Sequence, residues 1–118
     1  MIYRPPDTNM KQFNESIEPL LTTIKSEGKI PYFMGDYNIN LLNAEHHPPT
    51  QEFADMMMAH YIAPTIIKPT RVTTSSATLI DNIFCGNILD NDKQFNGIMY
   101  TDISDHFPIF HIFIPSCI

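Results

Sequence analysis

The chain has 118 residues, 43% hydrophobic and 17% charged, which excludes a disordered or collagenous polypeptide and leaves length for one small domain with its own core, or for part of a larger one. Thirteen Asp and Glu against seven Lys and Arg give a net charge of −6, which argues against an autonomous basic nucleic-acid binder but leaves room for a carboxylate site that handles phosphate. No apolar run approaches the roughly 18 residues of a membrane span, and the two cysteines, Cys85 and Cys117, lack zinc spacing and form no disulfide framework, so a reducing intracellular compartment, nuclear or cytoplasmic, is expected.

Ile2-Tyr3 reads as the end of a strand, and Pro5-Pro6 stops it. Asp7 or Thr8 can then cap a helix whose Phe13, Ile17, Leu20, Leu21 and Ile24 fall on one face. Gly28 suits the C-terminal end, and Pro19 predicts a kink or two shorter helices. Ile30 to Met34 reads as a buried strand ending at Gly35, and Asn43 to Pro49 as a loop. Thr50 is expected to cap a second helix, with Phe53, Met56, Met57 and His60 inward. A polar stretch from Thr73 to Thr78 leads into a strand from Leu79 to Cys85. Gln94 to Thr101 is a candidate strand, and Phe107 to Ile114, apolar at both alternating positions, reads as a strand buried between layers. Mixed helices and strands give an α/β or α+β class.

Three constellations could carry chemistry. In Met34-Gly35-Asp36-Tyr37-Asn38, Asp36 and Asn38 are two apart and would point the same way in extended chain. A carboxylate there can take a proton, and an amide can donate to a phosphate oxygen. The same residues also suit an ordinary turn after a strand. Asp81 alternates with Leu79 and Ile83, so it is either solvated at an edge or held by a cation or a donor. In Ser104-Asp105-His106, neighbouring side chains point apart. Asp105 could then bind a metal while His106 faces a phosphate, with Asp81 as the carboxylate that orients His106. Alternatively, His106 simply begins a strand. Arg71 reads as a loop arginine, and Cys85 as a small core residue.

Taken in order, Gly35-Asp36-Tyr37-Asn38, Thr78-Leu79-Ile80-Asp81-Asn82-Ile83 and Ser104-Asp105-His106 resemble the C-terminal half of the endonuclease/exonuclease/phosphatase superfamily. With Ile2-Tyr3-Arg4-Pro5-Pro6 and Pro69-Thr70-Arg71, they look closest to the endonuclease of non-LTR, LINE-type retrotransposons, from Tyr3 to about Phe110. The resemblance implies a partial four-layer α/β sandwich formed by residues 1–118, with the N-terminal half missing. It implies Mg²⁺-dependent (or Mn²⁺-dependent) hydrolysis of a phosphodiester in DNA, with a reverse transcriptase downstream in the parent protein and no membrane. Tyr3, Asn38, Thr70 and His106 match phosphate-contacting positions. Asp36 matches the aspartate that activates water or protonates the leaving group, Asp81 the one that orients the histidine, and Asp105 a metal-linked carboxylate. The family's principal metal-ligand Glu has no match, so the chain alone is expected to be a weak or inactive nuclease. A non-catalytic remnant, or a phosphatase or phosphodiesterase of the same superfamily, are the alternatives.

Overall fold

The amphipathic stretch after Pro5-Pro6 forms one helix, α1 (Met10–Ser26), in the computed structural model of the chain, which describes residues 1–86 and 92–115. Phe13, Ile17 and Leu21 are buried along its inner face, as their spacing predicts. The cap differs from expectation. Asn9 accepts hydrogen bonds from the Lys11 and Gln12 N–H groups, because a turn closed by Thr8 N–H on the Pro5 carbonyl pushes the helix start past Asp7 and Thr8. Pro19 does not divide the helix either. It stands on the exposed side, where water can serve the carbonyl it deprives of a partner; Leu20 beside it is exposed as well. Gly28 follows the helix at φ +66°, in the left-handed conformation expected there.

The strands are β1 (Ile2–Tyr3), β2 (Tyr32–Asp36), β3 (Ile62–Pro64), β4 (Arg71–Val72), β5 (Ala77–Thr78), β6 (Asp81–Gly86), β7 (Lys93–Ile98) and β8 (Ile109–Ile114). Between β2 and β3 lie a 3-10 helix, Leu41–His46, and α2 (Pro48–Ala59). The segment expected as a loop is therefore largely helical. His47, not Thr50, is the cap; Thr50 lies inside the first turn, with its hydroxyl 2.8 Å from His47 Nδ1.

β1, β2, β6 and β3 form one sheet in that order, with β1 parallel to β2 and the other pairs antiparallel. One face packs against both helices. Phe33 and Phe84 meet Phe13, Ile17 and Leu21 of α1 and Phe53 and Met57 of α2, with Tyr37, Ile39 and Ile62 closing the core. The rings of Phe13, Tyr37, Phe53 and Phe84 contact one another at centroid separations of 5.1–6.5 Å, mostly edge to face.

β7 and β8 pair as a separate antiparallel hairpin on the opposite face. Its inner side reaches the sheet through His111, 5.4 Å from the Tyr32 ring, and through Asn96, which donates to the Thr65 carbonyl. Its outer side carries Phe95, Phe110, Ile112 and Ile114, all exposed. The expectation that residues 107–114 are buried between layers is therefore corrected. β8 is a two-faced strand with one apolar side in solvent, because nothing among the described residues packs over it. The result is a mixed α/β domain, and no helix among the described residues is long and apolar enough to cross a membrane.

Candidate active site

Register builds the first part of the site. Tyr3 pairs with Asp36 across β1–β2, and Asp36 pairs with Asp81 across β2–β6. Residues directly opposite on neighbouring strands share a face, so Tyr3, Asp36 and Asp81 form one row on the face away from the helices. Tyr3 is 64% exposed at the open end of that row. Gly35 makes the approach of β1 possible: a Cβ there would lie 1.7 Å from the Ile2 carbonyl oxygen.

The second part comes from residues 104–107. Val72 N–H donates to the Asp105 carbonyl and Phe107 N–H to the Thr70 carbonyl, while Arg71 and His106 form a β-bridge. This pairing delivers the imidazole to the row. His106 Nδ1 lies 2.9 Å from Asp81 Oδ2, and since a carboxylate only accepts, Nδ1 carries the proton. That leaves Nε2 as the atom that can exchange a proton or bind a ligand. The His106 side chain is 37% exposed, against 16% for Asp81.

Asp81 Oδ2 has a second donor. Thr70 Oγ1 donates to it at 2.9 Å and accepts from the Ile80 and Asp81 N–H groups. Thr70 is fully buried, so its sequence-based role as a phosphate contact is corrected. It anchors Asp81 from below and has no surface to offer a substrate. Asp105 also stands apart from its expected position. Its carboxylate pairs with Arg71 Nε at 2.8 Å and is held below the usual carboxylate range, chiefly by that bond. The ion pair has no signal in the sequence, because Arg71 and Asp105 are brought together only by the pairing of β4 with residues 104–107.

Asp36, by contrast, is pushed above the usual range. Burial is the main cause, the Asn38 N–H bond to Oδ1 opposes it, Asp81 adds to it, and His106 and Arg71 oppose it. Asn38 does not continue in extended chain beside Asp36. It adopts φ +49°, and its Nδ2 donates to the Arg4 carbonyl at 2.7 Å. The two side chains are thus neighbours through a turn rather than along a strand.

Ligand atoms of Asp36, Asp81 and His106 lie within 4.8 Å of one another, so the three can converge on one small ion. Two carboxylates suit a hard cation that keeps several waters, so Mg²⁺ fits the oxygen part of this set, and the imidazole nitrogen makes Mn²⁺ equally acceptable. Beside the site runs an open cleft of about 360 Å³, walled by Met34, Ile83, Phe107 and Pro108. Compared with known proteins, the chain matches no family model and no curated sequence.

Proposed function

We propose that this chain forms the catalytic edge of a metal-dependent phosphodiesterase of the endonuclease/exonuclease/phosphatase type, acting as a DNA-nicking endonuclease within a larger parent domain of four-layer sandwich architecture. The observation that carries the reading is the Asp81–His106 hydrogen bond at 2.9 Å with Asp36 in register beside it. An imidazole with a fixed tautomer next to a carboxylate of raised affinity for protons is a pairing suited to moving one proton onto or off a phosphoester.

In this reading Asp36 accepts the proton of the attacking water as the new oxygen–phosphorus bond forms, and the P–O bond opposite it breaks, the leaving oxygen taking its proton from solvent. His106, oriented by Asp81 through Nδ1–H and carrying a second proton on Nε2 as the imidazolium, donates a hydrogen bond from Nε2 to a non-bridging oxygen and so stabilises the charge that builds there. Tyr3 stands at the exposed end of the row, where its hydroxyl can meet the same phosphate. Asn38 keeps its side-chain carbonyl and one amide hydrogen for the substrate, the other being spent on Arg4. A Mg²⁺ ion held by Asp81 would neutralise phosphate charge and help bring water and phosphorus together, with Asp36 beside it left free to take the proton. Asp105, tied to Arg71, stands outside the Asp36–Asp81–His106 cluster.

The chain alone is a weak enzyme in this proposal, because the site offers the ion few carboxylates and the sheet face beside it is partly open, with Met34 exposed. The test is nicking of supercoiled plasmid by the purified chain in Mg²⁺ or Mn²⁺. Slow nicking that disappears in Asp36→Ala and in His106→Ala supports the reading. Nicking that survives both substitutions, or none at all at high protein concentration with either metal, sinks it.

A further inference from the structure

Arg4, the residue after β1, is one of two arginines in the chain and is only 5% exposed. An arginine beside a phosphate site would ordinarily be read as a phosphate ligand. Here both terminal nitrogens are already committed, while Nε is buried without a partner. Nη1 donates to the Asn38 carbonyl at 3.1 Å and reaches the Tyr37 carbonyl at 3.5 Å, Nη2 donates to the Thr8 carbonyl, and the Phe13 ring lies 5.9 Å from Cζ. Among the described residues no carboxylate is in ion-pair range of it. The main chain of Arg4 grips the same segment: its N–H donates to the Asp36 carbonyl at 2.9 Å, and its carbonyl accepts from Asn38 Nδ2 at 2.7 Å.

Residues 36, 37 and 38 are therefore held by one residue from both its backbone and its side chain. The grip explains why Asn38, a non-glycine residue, sits at φ +49°. In that conformation the Asn38 N–H points at Asp36 Oδ1, 3.0 Å away, and fixes one oxygen of the carboxylate.

We infer that Arg4 is a positioning residue. Its buried guanidinium, bonded through Nη1 and Nη2 to main-chain carbonyls, pre-sets the Asp36–Asn38 turn and does not itself bind phosphate. That the turn serves catalysis rests on the phosphodiesterase reading; that Arg4 shapes it does not. A guanidinium is needed because its planar fork can bridge carbonyls of two separate segments, residues 8 and 37–38, which a lysine ammonium cannot do in the same geometry.

Hydrogen exchange followed residue by residue by NMR on the full chain separates the possibilities. In Arg4→Met, exchange of the Asn38 backbone amide is expected to speed up about tenfold or more relative to that of Leu21 and Phe84 in the core. The Asn38 side-chain amide signals should move toward their free positions. Arg4→Lys should show part of both effects, and it carries the test if the methionine variant does not fold. Unchanged Asn38 signals and exchange in Arg4→Lys overturn the inference, as does acceleration shared equally by Asn38 and the core, which would mark a merely global role. Where nicking is measurable, Arg4→Lys should lower kcat about tenfold with KM nearly held; a rise in KM alone would make Arg4 a phosphate ligand and also overturn it. Absence of nicking in the unmodified chain counts against the phosphodiesterase reading and leaves the exchange result standing.

Discussion

Asp36 is a costly residue for the fold. Its carboxyl is drawn above its ordinary range by burial and by Asp81, so the folded state favours the protonated form and loses stability as pH rises through the folded-state pKa. Asp36→Asn should therefore raise the melting temperature at pH 7 in metal-free buffer. The gain should shrink in acid and vanish below about pH 3.9, where the unfolded carboxyl is protonated as well. Calorimetry at several pH values reads this directly; a variant less stable than the parent at pH 7 would contradict it. Thr70 has the opposite character. Its hydroxyl serves Asp81 and two backbone N–H groups from a fully buried position. Thr70→Val keeps the shape and removes all three bonds, and is expected to cost ~1–3 kcal/mol in denaturant unfolding. The His106 imidazole should lose order in the same variant, visible as line broadening in its NMR signals. The Arg71–Asp105 pair is exposed, so its contribution should fade with added salt.

Among the elements, β1 is the most exposed to a single change. It has two residues and depends on Gly35 for its approach to β2, where a Cβ would meet the Ile2 backbone. Gly35→Ala should separate β1 from the sheet, free Tyr3 and Arg4, and cost ~1–3 kcal/mol. Loss of exchange protection at Arg4 N–H, which bonds the Asp36 carbonyl, is the measurement. How far such elements can be read from sequence depends on their length and periodicity. α1 declares itself because Phe13, Ile17 and Leu21 repeat at helical spacing. β3, β4 and β5 do not, since strands of two or three residues carry no pattern. The meeting of Asp81 with His106 is legible because two short motifs suggested an oriented histidine. The Arg4 clamp is not, because its acceptors are main-chain carbonyls that leave no mark in residue identity. For the same reason Thr70 looked like a surface ligand and lies inside. β8 misled through composition: an unbroken apolar run signals burial on both sides only when something covers each side.

At the scale of the molecule, one aromatic-rich core joins the helices to the sheet, and Phe53 and Phe84 are at its centre. Phe53→Ala should cost ~3–5 kcal/mol, a large share of the reserve of a domain whose total lies near 5–15 kcal/mol, and lower the melting temperature sharply. The hairpin answers to different forces. Its outer stripe of Phe95, Phe110, Ile112 and Ile114 faces water, so the folded chain should bind an apolar dye, and Ile112→Lys should reduce that binding without lowering the melting temperature. Colloidal behaviour follows from the same stripe. The surplus of acidic groups keeps copies apart at neutral pH, and that repulsion disappears as the solution approaches the isoelectric point, while the greasy strip stays. Mildly acidic buffers should therefore make the protein flocculate while its fold is intact, and light scattering would detect this before any loss of circular dichroism.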